Sequence, residues 1–111
     1  MRSTKSKKAA SWVVTKGAEC RVALPARLDI GAIGNLHKAL LAAAGQKKPV
    51  VIDAEQVTAL STVCVQALIA GANSFRQRNI PFCVKRPSET FVTTFDGLGL
   101  FSSLMSWEVR Q

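Results

Sequence analysis

Carboxylates are scarce in this chain of 111 residues, and tyrosine is absent altogether. Seven Asp and Glu face fifteen Lys and Arg, which leaves a formal charge of +8. Aromatic residues make up only 6% of a sequence that is 48% hydrophobic, so its core has to be built mainly from Val, Leu, Ile and Ala. There is one histidine, His37, and the three cysteines, Cys20, Cys64 and Cys83, lie too far apart for a CxxC unit. That excludes a Cys/His metal site of recognisable spacing. An odd number of scattered cysteines fits free buried thiols in a reducing compartment. The longest purely apolar run, Ala39 to Ala44, is far short of a membrane span. A basic start followed by an apolar stretch resembles the opening of a signal peptide. Here, however, the stretch from Ala9 to Val14 contains Ser11 and stops at Thr15-Lys16, too early for a leader. A cytoplasmic protein with no membrane insertion is the expectation.

The chain is long enough for one domain with one core. Its charge is unevenly placed: Arg2, Lys5, Lys7 and Lys8 fall in the first eight residues with no acid among them. With Ser3, Thr4 and Ser6 beside them and nothing to bury, residues 1–10 read as a flexible basic tail ahead of a domain over 11–111. Subtracting the tail removes about half of the excess charge, which leaves an ordinary surface balance. No base-stacking aromatics accompany the tail, and nucleic acid is not the expected partner.

Ser11 to Thr15 reads as a short strand with Trp12 and Val14 on one face and Val13 on the other. Lys16-Gly17 signals a turn, and the alternation over Cys20-Arg21-Val22-Ala23-Leu24 predicts a half-buried strand paired with the first as a hairpin. Pro25 ends it. Asp29 is placed to cap a helix whose apolar stripe is Ile33, Leu36, Leu40 and Ala43 or Ala44, with Gly45 as its C-terminal glycine and His37 at the stripe's edge. Val50-Val51-Ile52 reads as a strand buried on both faces and ended by Asp53. After a short linker and the approach Val57 to Leu60, a second helix buries Val65, Leu68, Ile69, Ala72 and Phe75. It ends in Arg76, Gln77 and Arg78, with Asn79 as a left-handed cap. Ile80 to Val84 is a further strand with Pro81 near its start. Pro87-Ser88 opens a third helix with Phe91, Phe95 and Leu98 on one side and Gly97 and Gly99 at its end. A short helical turn around Leu100, Phe101 and Leu104 and an extended end at Trp107 and Val109 complete the chain. Strands alternating with helices at this spacing imply an α/β domain: a mixed sheet of about four to five strands with helices packed against it.

The segment Val57-Thr58-Ala59-Leu60-Ser61-Thr62-Val63-Cys64-Val65-Gln66-Ala67-Leu68-Ile69 resembles the signature region of the STAS family, in which a short apolar approach leads into Asp-Ser-Ser/Thr-Gly and then a helix. Val50-Val51-Ile52-Asp53, Leu28-Asp29-Ile30 and Ile80-Pro81-Phe82 resemble its flanking elements, and the likeness runs from about Val22 to Leu104. The family includes anti-sigma factor antagonists, the small soluble subunit of a phospholipid-asymmetry transporter and domains of sulfate transporters. The resemblance implies a bacterial signal-transduction protein that works by protein–protein contact and needs no cofactor. Its implied partner is an anti-sigma factor kinase or, in the alternative, the ATPase of an ABC-type transporter. In switchable members a partner kinase phosphorylates a hydroxyl at the helix start. Here Thr62 holds that position, Ser61 replaces the preceding Asp, Val63 takes the next hydroxyl position and Cys64 replaces the Gly. A narrower likeness is carried by Leu24-Pro25-Ala26 before Leu28-Asp29, by Cys64 with Gln66, and by Pro81-Phe82 and Pro87-Ser88. These resemble small STAS proteins of chemotaxis gene clusters, whose implied partner is a chemotaxis histidine kinase or its response regulator.

Hydroxyls at Ser61 and Thr62 serve equally as caps for unpaired helix amides and as phosphoacceptors beside those amides. Asp29, Leu60, Ser61, Thr62, Val63 and Gln66 are the expected partner-binding residues, with Thr62 and Ser61 the candidate phosphoacceptors. Cys64, one step inside the helix, reads as small core packing. Asp29 and Asp53 have no acid–base partner in sight. No phosphate-cradling glycine loop, nucleophile elbow or metal-ligand spacing occurs, so catalysis is not expected.

Overall fold

The computed structural model describes residues 12–110. The predicted tail at 1–10, like Ser11, lies outside them. The chain opens with the expected hairpin, β1 (Val13–Lys16) antiparallel to β2 (Glu19–Ala23), turned by Gly17 at φ +61°. Three strands then join in parallel: β4 (Val50–Asp53) beside β2, β6 (Phe82–Lys85) beside β4, and β7 (Val109–Arg110) beside β6. The sheet order is β1-β2-β4-β6-β7. The connections carry α1 (Ile33–Gln46), α2 (Thr62–Gln77), α3 (Glu89–Gly97) and the short α4 (Phe101–Met105). This is the α/β arrangement the alternation of elements implied, with five strands in the main sheet.

Register explains the core. Cys20 and Val22 face Val50 and Ile52, which in turn face Phe82 and Val84, and this row meets the helices. Leu36, Ala39, Leu40 and Ala43 of α1 and Val65, Leu68, Ala72 and Phe75 of α2 supply the other wall. On the opposite sheet face Val51 sits beside Cys83, and both are buried too. Four aromatic side chains close the far end: Phe82 stacks on Phe75 at 5.5 Å, and Trp107 meets both Phe82 and Phe95 edge-on.

Several local expectations are corrected. Trp12 precedes β1 and is buried, whereas Val14 is 48% exposed. Val13, paired with Val22, packs against the core, and the strand runs Val13–Lys16 rather than Ser11 to Thr15. Gly45 does not end α1. The helix runs on to Gln46, whose Oε1 accepts from the Thr15 hydroxyl at 3.2 Å, and Lys47 takes the left-handed position at φ 56°. Leu98 is the residue after α3 and is exposed, while Phe91 and Phe95 are fully buried. Asn79 does adopt the expected left-handed conformation, at φ 60°.

All three cysteines are free and buried. Burial pushes the Cys20 and Cys83 thiols above the ordinary thiol range, with Lys48 and Arg110 respectively opposing that shift in part. A folded-state pKa above the unfolded one means that the unfolded chain loses its protons first as pH rises. Stability from these two groups is therefore complete below about pH 8.5. It declines as pH climbs past that point and through the raised folded values. Urea unfolding across alkaline pH should show this fall, and the Cys20→Ala, Cys83→Ala double variant should show less of it.

Candidate functional site

The start of α2 is positioned by a second, smaller sheet. β3 (Arg27–Leu28) pairs in parallel with β5 (Ala59–Leu60), setting Leu28 against Leu60. The Ser61 amide then donates to the Leu28 carbonyl at 2.8 Å, and the Thr58 amide and hydroxyl both donate to Ala26. Two chain segments more than thirty residues apart are thereby fixed side by side. Leu28, fully buried, anchors the pair from below.

From this platform α2 begins as its sequence dictates. Ser61 is extended (φ −84°, ψ 157°), and its Oγ accepts from the Cys64 amide at 3.3 Å. That is the cap expected of a hydroxyl at this position. Cys64 is fully buried, as expected, and its thiol donates to the Asp29 carbonyl at 3.5 Å, tying the Asp29 loop to the first turn of the helix. Asp29 caps a short 3₁₀ turn, Ile30–Ala32, rather than α1 itself: its Oδ1 accepts from the Gly31 amide at 3.1 Å, and α1 follows without a break. Its other oxygen lies 3.7 Å from the Arg27 guanidinium in an exposed ion pair, a kind that contributes little to stability.

The six residues expected to bind a partner are thus brought together. Asp29, Thr62, Val63 and Gln66 are exposed, while Ser61 and Leu60 are half-buried beneath them. The structure separates the two hydroxyls. Ser61 is committed to the cap, whereas Thr62, the first residue of α2, makes no side-chain hydrogen bond among the described residues. Ser61→Ala should therefore cost about 1 kcal/mol of stability, and Thr62→Ala close to none. Chemical denaturation of the two variants measures this directly.

Asp53 has a different task. Its Oδ1 accepts from the Glu55 amide at 3.2 Å, and its Oδ2 receives Arg86 at 3.1 Å, with Glu55 3.3 Å from the same guanidinium. Arg86 is held at φ 49° directly after β6. Both oxygens of Asp53 are thus engaged by neighbouring groups of the chain. Ser88 similarly caps α3, its Oγ accepting from Phe91 at 3.1 Å while donating to the Val57 carbonyl at 2.6 Å.

Two exposed apolar side chains, one beside this face and one on α1, escaped the sequence reading. Ile30 is 70% exposed and follows Asp29, while Leu41 is 71% exposed on α1. The available signal was helical phase: Leu41 is one residue off the stripe that contains Leu40. Chemically the face offers helix-start amides, one unengaged hydroxyl and apolar contact from Ile30 and Val63. Among the described residues no side chain is hydrogen-bonded to Thr62 that would activate it as a nucleophile, and no helix is long and apolar enough to cross a membrane.

No curated protein matches the chain. A family profile described as "Mlab, STAS domain" does, over residues 12–105. That range takes in the sheet up to β6, the β3–β5 platform and all four helices, and by it the chain belongs to the STAS domain family.

Proposed function

We propose that this protein is a non-catalytic regulator that binds a signalling partner in the cytoplasm through the face at the start of α2. The observation that carries this reading is the convergence of Asp29, Ile30, Thr62, Val63 and Gln66 on one exposed surface, held by the β3–β5 pair and the Cys64–Asp29 contact. Apolar groups there supply contact area, and Arg27 at the rim steers the encounter. The partner is a chemotaxis histidine kinase or its response regulator, or an anti-sigma factor kinase. Three buried, unpaired thiols suit a reducing compartment. Phosphorylation at Thr62 would switch the complex off. It would add about two negative charges to an exposed hydroxyl at the helix start and drive off an acidic or apolar partner surface.

A second reading is favoured by the engagement of Ser61 and the burial of Cys64, where the signature has Asp and Gly. A face without those two groups suits permanent attachment, as in the soluble STAS subunit of an ABC-type phospholipid transporter.

Co-purification of the tagged protein from its own cells discriminates between these readings. A kinase recovered with wild type and Thr62→Ala, and lost with Thr62→Glu, is the expected result. Equal recovery with Thr62→Glu defeats the switch. A transporter ATPase retained by all three establishes the second reading, and recovery of no protein partner refutes both.

A further inference from the structure

The apolar surface does not stop at the start of α2. Ala67, Ala70 and Ser74 follow one another along one side of that helix at helical spacing, facing α1. Between the helices lies an open groove of about 190 Å³, with Leu41 on one bank, Ala67 and Ala70 on the other, and His37 and Arg78 at its margins. Its floor is close because Gly71 has no side chain: a Cβ there would come within 3.2 Å of Leu40 Cδ1. Among the described residues Leu41 is the most exposed of the large hydrophobic side chains, at 71%.

Charge narrows the choice of what covers it. Neither α1 nor α2 contains a single Asp or Glu, while His37, Lys38, Arg76 and Arg78 lie on them or at their ends. Among the described residues Lys38, Arg76 and Arg78 take part in no ion pair, whereas every ion pair found uses other cations. The chain's own basic beginning has the wrong sign to fill this groove. A second copy placed by two-fold symmetry would set one basic rim against another, which opposes pairing.

We infer that the α1–α2 groove is a docking site for an acidic amphipathic helix of a partner protein. Leucine-type side chains of that helix would pack on Leu41 and into the space above Gly71, with a carboxylate reaching Arg78 at the rim. This is helix-in-groove recognition, in which anchors at i, i+3 or i+4 and i+7 supply the contact and charge supplies the selectivity. It goes beyond the reading given above, because none of the residues that line the groove belongs to the Thr62 face.

The test is a titration of the full chain with two synthetic helical peptides. They share one leucine stripe, but one carries Glu and the other Lys on its flanks. Fluorescence anisotropy reports binding, and amide chemical shifts report its place. The acidic peptide should bind, perturb Leu41, Gly71 and Ser74, and weaken as salt rises. Leu41→Gln and Ala70→Glu, both at exposed positions and safe for folding, should each weaken it about tenfold, and Thr62→Glu should leave it unchanged. Failure of the acidic peptide to bind overturns the inference, as does equal binding of the basic peptide or indifference to Leu41→Gln. Self-association that Leu41→Gln abolishes, seen by sedimentation, would assign the groove to a second copy and overturn it as well. None of these outcomes bears on partner capture by the Thr62 face.

Discussion

Phe95→Ala should lower the free energy of unfolding by about 3–5 kcal/mol. Phe95 has no exposed surface; its ring lies 5.0 Å from that of Phe91 and 5.5 Å from Trp107, which it meets edge-on. Truncation forfeits the transfer of a large apolar group and leaves a cavity whose walls include α3 and the segment before β7. Those walls cannot all collapse together, so the upper part of the range applies. Small domains have only about 5–15 kcal/mol in total, and a loss of this size brings the variant close to unfolding at body temperature. Urea unfolding followed by tryptophan fluorescence reads the change twice, since the midpoint falls and the folded-state signal of Trp107 shifts with the loss of its neighbour. Leu98→Ala, at an exposed position nearby, should shift the midpoint by no more than about 0.5 kcal/mol. Equal effects from the two substitutions would contradict this packing of α3.

Leu28→Ala should cost about 2–5 kcal/mol and reach the functional face as well. Leu28 is fully buried, and its carbonyl holds the Ser61 amide. The next residue's carbonyl receives the Cys64 thiol. Shrinking the side chain therefore loosens the base on which two parts of the face are aligned. Hydrogen exchange at the Ser61 and Cys64 amides should quicken more than exchange at Val51 or Ile52 in the middle of the sheet. If the protection of Ser61 were unchanged while overall stability fell, the β3–β5 pair would not be what positions the start of α2.

The long periodic segments were legible in the sequence because one force shapes them. The stripes of α1 and α2 and the β-branched run of β4 are each repeated many times over, and no single neighbour can change their meaning. The same holds for Ser61 and Asn79, whose side chains suit the helix ends they occupy. The β3–β5 pair was not legible. It has two residues on each side, too few for any periodicity, and exists only because the Asp29 and Ser61 segments meet in space. Gly45 misled for a related reason. Glycine permits a left-handed stop without demanding one, and contact between Gln46 and Thr15 carries α1 past it. At the candidate site the residues could be named from sequence, but the different employment of Ser61 and Thr62 could not, because it depends on which hydroxyl turns toward the Cys64 amide. The groove beside Leu41 was hidden because an exposed leucine one step off a stripe looks like noise until the facing helix proves to be lined with alanine and glycine.

The order of the main sheet has a consequence for how the protein is made. After the opening hairpin, β4 is laid beside β2, β6 beside β4, and β7 beside β6, so every new strand joins the edge that the previous one has just left open. No strand has to be inserted between two that are already paired. A nascent chain leaving the ribosome can therefore deposit its sheet in the order of translation, each helix settling as the strand after it arrives. Growth is confined to one edge of the sheet, the one opposite β1.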